Sequence, residues 1–600
     1  MLILYMILVW VYNDEYLIFS EFERSLYMSS SIINPLQSYF SSCFKKDLLS
    51  GLTVGVISLP LAMAFAIASG ANPEHGIYTT IIAACLVALF GGSSYQVAGP
   101  TGAFVPILLS IVLMYGYENL LIAGFLSGII LILMGLLDMG SLIKFIPRSV
   151  TIGFTAGIAV NIFSGQISNF LGLTGLERHE SFIATMQDVI AHLYTINYYS
   201  ALTATICLVV ILITPRFLPK VPGSLAGLLV STAVATFFFP HEISTITSTF
   251  GGIPSDIPTM KIPDFTLEKL HQLLQPALTI AILGAIESLM SAVVADGMTG
   301  TQHNSNKELI GQGIANMVTP LFGGIPATGA IARTATNIKS GAATRYSIVI
   351  SALFVLATML LLAPYAGLIP LASMAPVLMI VSYNMSEHRA FLGILKVRSL
   401  SAGVLIITFL LTLLANLTVA VEVGLLLAMM LFVKRMSEIM VVTQVVPDQE
   451  NNLVDITEQA TLAAHDCPQI SIFSIEGPLF FGAAQMFSQS IMNTINYDPK
   501  IIILRMSKVP LIDITGENHL RTIVENLQQK GLLVLMCGLT GQPEKKLRTT
   551  GLYDKIGEDH IFPHTSNAIT YSLEHINQDC CQLCKKNIFK ACRLEKDKLT

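Results

Sequence analysis

Charge is what this 600-residue sequence has least of. Asp, Glu, Lys and Arg make up 12% of it, against about 25% in soluble domains. Hydrophobic residues reach 53% and the mean hydropathy is +0.66. A soluble globular chain is thereby excluded, and a lipid bilayer is the solvent the composition fits. The net charge is only -5, and no stretch interleaves Lys/Arg clusters with aromatics, so the footprint of a nucleic-acid binder is missing. Nine cysteines lie scattered at Cys43, Cys85, Cys207, Cys467, Cys537, Cys580, Cys581, Cys584 and Cys592 without a repeated spacing, which excludes a disulfide framework. No nucleophile–base set, phosphate loop or paired metal-ligand spacing stands out, so no enzyme, cofactor or metal site is expected.

What the sequence has instead is long apolar runs. From Leu49 to Val433 they follow one another closely, and about fourteen spans fit, each needing roughly 20 residues to cross the hydrocarbon core. The spans start near Leu49, Ile77, Thr101, Asn119, Val150, Ser200, Gly223, Pro276, Leu309, Thr328, Ser347, Gly367, Ser401 and Val419. Met1 to Tyr12 is apolar but too short to span, and the acidic run from Asn13 to Glu23 follows it instead of a cleavage site. Translation from Met28 and an interfacial segment both account for it.

Lys45, Lys46, Lys144, Arg148, Arg216, Lys220, Lys307, Lys339, Arg345, Arg389, Lys434 and Arg435 all fall in loops on one side. That side is cytoplasmic by the positive-inside rule. An inner-membrane protein with both termini cytoplasmic is expected. Beyond Arg435 the texture becomes that of a soluble α/β domain: strand-like runs at Ile470–Ile475, Ile501–Met506 and Leu532–Cys537 alternate with helical patterns over 482–495 and 516–530. The expected division is an N-terminal segment over 1–46, a membrane domain over 47–437, a cytoplasmic domain over 438–578 and a basic Cys-rich tail over 579–600.

Two punctuated segments mark a site. Gly99-Pro100-Thr101-Gly102-Ala103 opens the third span and Pro326-Ala327-Thr328-Gly329-Ala330 opens the tenth. Seven spans separate them, so the second enters from the opposite side, the pattern of an inverted repeat whose half-helices meet near mid-membrane. Irregular backbone is tolerated there only along a cavity. Small residues admit a ligand to the backbone, and two helix N-termini converge on an anion. Arg333, one turn into the tenth span, is assigned to that anion because an intramembrane charge needs a partner; the alternative is a structural arginine paired with a helix carbonyl or with an acid elsewhere.

Span eight carries Glu287 near mid-depth, with Ser291 one turn on. A carboxyl group in a low dielectric can take up a proton on one side and release it on the other, and Ser291 could complete a cation site. The alternative is a static salt bridge between Glu287 and Arg333.

The run from Asp47 to Ala66 through Pro60 and Phe65, the loop from Asp296 to Gly313 with Lys307 and Glu308, and Ala327-Thr-Gly-Ala-Ile-Ala-Arg-Thr-Ala-Thr336 together resemble the SulP sulfate-permease family. The resemblance implies a seven-plus-seven inverted fold with core and gate domains, an elevator-like mechanism and a homodimer. It puts the substrate site between the ends of spans three and ten, at Thr101, Gly102, Ala103, Gly329, Ala330, Ile331 and Arg333, with Phe65 closing over it. Glu at position 287 is similar to members thought to be proton-coupled, and Ile331 offers no hydroxyl to sodium. Symport of a small anion (sulfate, bicarbonate or a C4-dicarboxylate) with a proton is therefore expected, with anion exchange or an uncoupled pathway as the alternative. The C-terminal domain resembles the sulfate transporter and anti-sigma-factor antagonist (STAS) domain. Its loop reads Asp513-Ile514-Thr515-Gly516, with Ile514 where antagonist proteins carry the phosphorylated serine, so a regulatory and dimerising role around Asp513 and Thr515 is expected without a phosphoswitch. A nucleobase permease would lack this domain. A membrane-anchored signalling protein would not need Glu287 and Arg333.

Overall fold

Every one of the fourteen expected segments falls on a helix. They are α1 Phe44–Ala68, α2 Pro73–Phe90, α3 Val105–Tyr115, α4 Tyr117–Leu136, α5 Arg148–Gly165, α6 Tyr198–Phe217, α7 Gly223–Phe238, α8 Leu267–Thr299, α9 Ser305–Val318, α10 Ile331–Lys339, α11 Tyr346–Ala366, α12 Leu371–Met385, α13 Leu400–Leu414 and α14 Leu417–Glu438. The structure, a computed structural model, describes residues 43–141, 147–177, 179, 181–218, 221–240, 242–397, 399–415, 417–438, 441–447, 453–455, 467, 469–480 and 499–577. The expectations for 1–42, the helix over 482–495 and the Cys-rich tail lie outside these residues. Helices α1, α2, α4, α6, α8, α11 and the run Arg148–Leu171 that contains α5 are long and apolar enough to cross a bilayer by length and composition.

Two starts differ from expectation for local reasons. Helix α8 begins nine residues before Pro276, because the Thr266 hydroxyl caps it by accepting the Lys269 N–H at 3.4 Å and Glu268 supplies a first-turn acid. Helix α10 begins at Ile331 rather than Thr328, because Thr328 and Gly329 are drawn into a strand, β2, which pairs antiparallel with β1 at Ala98–Gly99.

Polarity in this unit is the reverse of that in a soluble protein. Leu133, Leu212, Leu229, Phe237 and Leu361 are exposed, whereas Ser50, Gln96, Gln312, Asn316 and Asn337 are fully buried, as expected where the surroundings are as apolar as leucine. The helices associate as two sets. One contains α1, α2, α4, α8, α9, α10 and α11, the other α5, α6, α7, α12 and α13, and α3 touches α4 and α5. Each set draws helices from both halves of the sequence.

Buried carboxylates tie the loops of the first set. Asp47 accepts the N–H groups of Ala343 and Thr344 at 2.7 and 3.0 Å. Glu308 accepts those of Gly92 and Ser93 at 2.9 and 3.0 Å and the Gln312 amide at 3.1 Å. Both hold helix ends whose N–H groups would otherwise be orphaned in a dry interior.

The chain divides into two compact units at 425/426, inside α14 rather than after it. The second unit holds a six-stranded sheet in the order β4-β3-β5-β6-β7-β8: β3 Val441–Pro447, β4 Leu453–Asp455, β5 Ile470–Glu476, β6 Ile501–Lys508, β7 Leu533–Cys537 and β8 Ile561–Phe562. Strand β3 is antiparallel to both its neighbours, and β5 through β8 run parallel. Side chains alternate between two cores. Phe473, Ile475, Ile502 and Leu504 pack with Leu520, Ile523 and Leu527 of α15 Ile514–Gln529, while Ile470, Ile472, Ile501 and Ile503 share the opposite core with Ala568 of α16 Thr565–Glu574. Covering both faces explains why the strands read as continuous apolar runs instead of alternating ones.

Replacing Glu308 with Leu strips acceptors from the Gly92 and Ser93 N–H groups. The expected loss is about 2–3 kcal/mol of stability, seen as a lower melting temperature of the detergent-solubilised protein, whereas the exposed Lys339→Gln change is expected to leave it unmoved.

Candidate functional site

The β1–β2 pair aims two helices at one place. After β1, Pro100 and Thr101 lead into a 3-10 turn at Gly102–Phe104 that continues as α3; after β2, Ala330 leads directly into α10. Neither N-terminus has a side-chain cap. The first-turn N–H groups of Gly102, Ala103, Ile331, Ala332 and Arg333 therefore have no acceptor within their own helices, and two positive dipole ends face a common space.

That space is a cavity of about 350 Å³ lined by Phe65, Thr101, Gly102, Ala103, Gly329, Ala330, Ile331 and Arg333, together with Glu287. All eight residues expected to bind the anion thus meet, although they come from helices far apart in sequence. A Cβ built on Gly102 would stand 3.3 Å from both the Phe65 ring and the Ile162 side chain, so these two side chains cover the first turn of that half-helix.

Arg333 is 3% exposed. Its Nη2 donates to the Pro100 carbonyl at 2.5 Å, and Nη1 is buried without a partner among the described residues. The guanidinium lies against Gly99, where an added Cβ would be 2.7 Å from Nη1 and where φ is +153°. An arginine from one half-helix is thereby laid over the lead-in of the other, with one donor left over. A buried donor in that state costs about 1–3 kcal/mol unless something occupies it.

Glu287 accepts the Thr101 hydroxyl at 3.0 Å. Among the described residues no ion pair within 4.0 Å joins it to Arg333, so the static salt bridge is not formed. Ser291 does not line the cavity with Glu287. It is fully buried outside the cavity lining, and its hydroxyl donates to Thr334 Oγ1 at 3.1 Å.

The two Thr-Gly motifs are not equivalent in space. Thr101 precedes its helix and faces Glu287. Thr328 lies in the strand, where its hydroxyl contacts the Gly284 carbonyl at 3.0 Å and Ser288 Oγ at 2.8 Å. Ser288 also accepts the Gly329 N–H at 3.1 Å, and Asn316 grips both backbone polar groups of Ala327 at 2.8 Å. Ser288 and Asn316 escaped sequence reasoning because a lone Ser or Asn in an apolar helix carries no motif. The same holds for the opposite wall, Thr151, Phe154 and Thr155 of α5 and Asn384 and Met385 of α12.

In the second unit Asp513 is the N-cap of α15, its carboxylate accepting the Gly516 N–H at 2.6 Å. Thr515 is exposed in the first turn, beside the exposed Ile514. A Cβ at Gly516 would collide with the Leu479 carbonyl, so the loop needs glycine there for packing.

Comparison with known proteins places the chain in a family. Residues 44–408 match the sulfate permease family and 462–568 the STAS domain. The chain is 49% identical over 521 residues to the "Putative sulfate transporter YvdB" of Bacillus subtilis (strain 168), covering 87% of this chain and 96% of that one. It is 29% identical over 550 residues to the "Bicarbonate transporter BicA" of Picosynechococcus sp. (strain ATCC 27264 / PCC 7002 / PR-6), with 87% and 96% covered. Among solved structures, that of SLC26A9 shares the fold at a TM-score of 0.80 and 18% identity over 93% of this chain and 96% of that one. The transmembrane domain of a cyanobacterial BicA matches at 0.57 and 30% over 64% of this chain and 97% of that domain. This polytopic membrane chain with a C-terminal STAS domain belongs to the sulfate permease family.

Proposed function

We propose that the protein is a secondary transporter of a small anion, driven by a proton that Glu287 carries. The reading rests on one observation above the rest: two uncapped helix N-termini and the unpartnered Nη1 of Arg333 converge on one cavity that also contains an unpaired-by-arginine carboxyl group, Glu287. The first three attract an anion; the last supplies a titrating site beside it. Sulfate and bicarbonate are the substrates in the names of the relatives, and a C4-dicarboxylate is the third candidate. Engagement of Ser291 by Thr334, and the absence of a hydroxyl on Ile331, favour a proton over sodium as the coupling ion.

Transport by this reading is elevator-like. The half-helices and Glu287 travel with the set α1, α2, α4 and α8–α11, and the walls from α5 and α12 stay behind. The antiparallel β1–β2 pair and the recruitment of both helix sets from both halves support a seven-plus-seven inverted repeat. The protein works as a homodimer in the inner membrane with both termini cytoplasmic, as the Lys/Arg bias of the loops requires, and the C-terminal domain regulates it through the face near Asp513 and Thr515.

Uptake of labelled sulfate, bicarbonate and fumarate into proteoliposomes is expected to rise with an inward proton gradient for one of them. Glu287→Gln is expected to abolish that stimulation while leaving anion exchange at zero gradient. Gradient-independent uptake that survives the substitution would overturn proton symport and leave exchange.

Gly99→Ala places a methyl group against the Arg333 guanidinium. The expected result is a KM for the anion raised about tenfold, the worth of one charge-assisted hydrogen bond, together with a lower melting temperature, because a φ of +153° strains any residue that carries a Cβ.

A further inference from the structure

A second cavity, of about 310 Å³, lies along the same four helices as the first. The first is walled by the lead-in to α3, by Thr151 to Thr155 of α5, by Ile282 to Met290 of α8 and by Thr408 of α13. The second is walled by α3 from Pro106 onward, Asn161 of α5, Gln275 to Thr279 of α8 and the end of α13 at Leu414. Along α3, α5 and α13 the numbering rises from one cavity to the other, and along α8 it falls, as the opposite direction of that helix requires. Only two residues before and in α3, Phe104 and Val105, and two on α8, Ile280 and Ala281, lie between them, about 5 Å of helix rise. The partition is apolar and buried: Phe104, Ile158, Ile162 and Ile280 belong to one packed cluster, and Ile162 reaches Gly102 on the far side of it.

The donors in the second cavity are neutral. Among the described residues no hydrogen bond engages the Ser110 hydroxyl or the Gln275 amide, and the Ser181 hydroxyl oxygen accepts the Ala184 N–H at 3.2 Å, leaving its own proton to donate. Asn161 and Thr279 are already committed to the carbonyls of Thr412 and Gln275. No Lys, Arg, Asp or Glu is among the lining residues. A dehydrating oxyanion can be met here by hydroxyl and amide donors, yet nothing holds it with a full charge. A path needs sites of this kind, favourable enough to enter and weak enough to leave.

We propose that this cavity is a low-affinity site for a small oxyanion on the side opposite the Lys/Arg-rich loops, formed by Ser110, Ser181 and Gln275, and that Ile162 is the side chain whose displacement joins it to the Arg333 site. The proposal rests on the transport reading above and adds a second station to it.

The test is Ser110→Cys, with Gln275→Cys as the second position should the first fail to fold, treated with the membrane-impermeant sulfonatoethyl methanethiosulfonate in vesicles of known orientation. Uptake of the transported anion is expected to fall about tenfold or more as the adduct fills the path, from the external face only, with saturating anion slowing the modification and uptake by the reagent-treated wild type unchanged. A cysteine that is modified without loss of uptake, that reacts only from the cytoplasmic face, or that is not protected by the anion overturns the site. If the wild type moves none of the anions offered, the transport reading itself has failed, and this site falls with it.

Discussion

Everything at the centre of the membrane unit depends on a backbone constraint. Two chain segments cross in an apolar interior, where an unpaired N–H or C=O is costly, and each must still end its irregular stretch and begin a helix there. The short β1–β2 pair absorbs part of that demand, with Ala98 opposite Gly329 and Gly99 opposite Thr328. The Ala330 N–H adds a bond to the Val97 carbonyl at 2.9 Å. What the pairing leaves over is directional: the N–H groups of the first helical turns, all on the cavity side. The proposed anion site is what this backbone pairing leaves over.

The surrounding polar side chains serve that pairing. Ser288 and Asn316 hold β2, Thr334 accepts the Val97 N–H at 3.0 Å, and Ser50 and Asn337 connect α1 to the end of α10. Gln96 is an exception. It is fully buried against Gly329, and among the described residues neither atom of its amide has a partner. A network of this sort fixes one arrangement of the crossing rather than many, because each misplaced group would be left unsatisfied. Rigidity at the crossing suits a site that moves as a body in the proposed mechanism, in which the apolar contacts of Ile162 and Phe65 form the deformable boundary.

The soluble unit uses different physics. Its sheet is covered on both faces and its stability comes from ordinary burial, with Phe473, Ile503 and Leu520 among the enclosed side chains. The Asp513–Gly516 loop is explained by capping and close packing alone, while Thr515 and Ile514 remain on the surface. Its structural needs and its exposed face are therefore carried by different residues of one short motif.

By itself the sequence determined the solvent, the helices and the chemistry of the site. Apolar runs of span length can only be helices in lipid, since helices satisfy their own backbone, and Gly/Pro punctuation at two such runs can only line a cavity. That reasoning reached Thr101, Gly102, Ala103, Gly329, Ala330, Arg333 and Glu287, and the family resemblance added Phe65 and Ile331; all of them line one space. It fell short where identity of letters stood in for identity of place: Thr328 looked like the partner of Thr101 but belongs to the strand. Only the tertiary structure decided that Arg333 lies on Gly99 instead of pairing with Glu287, that α5 and α12 form the opposite wall, and that a second cavity follows the first. These are relations between helices remote in the chain, set by packing, and no local pattern of residues encodes which face of one helix meets which face of another.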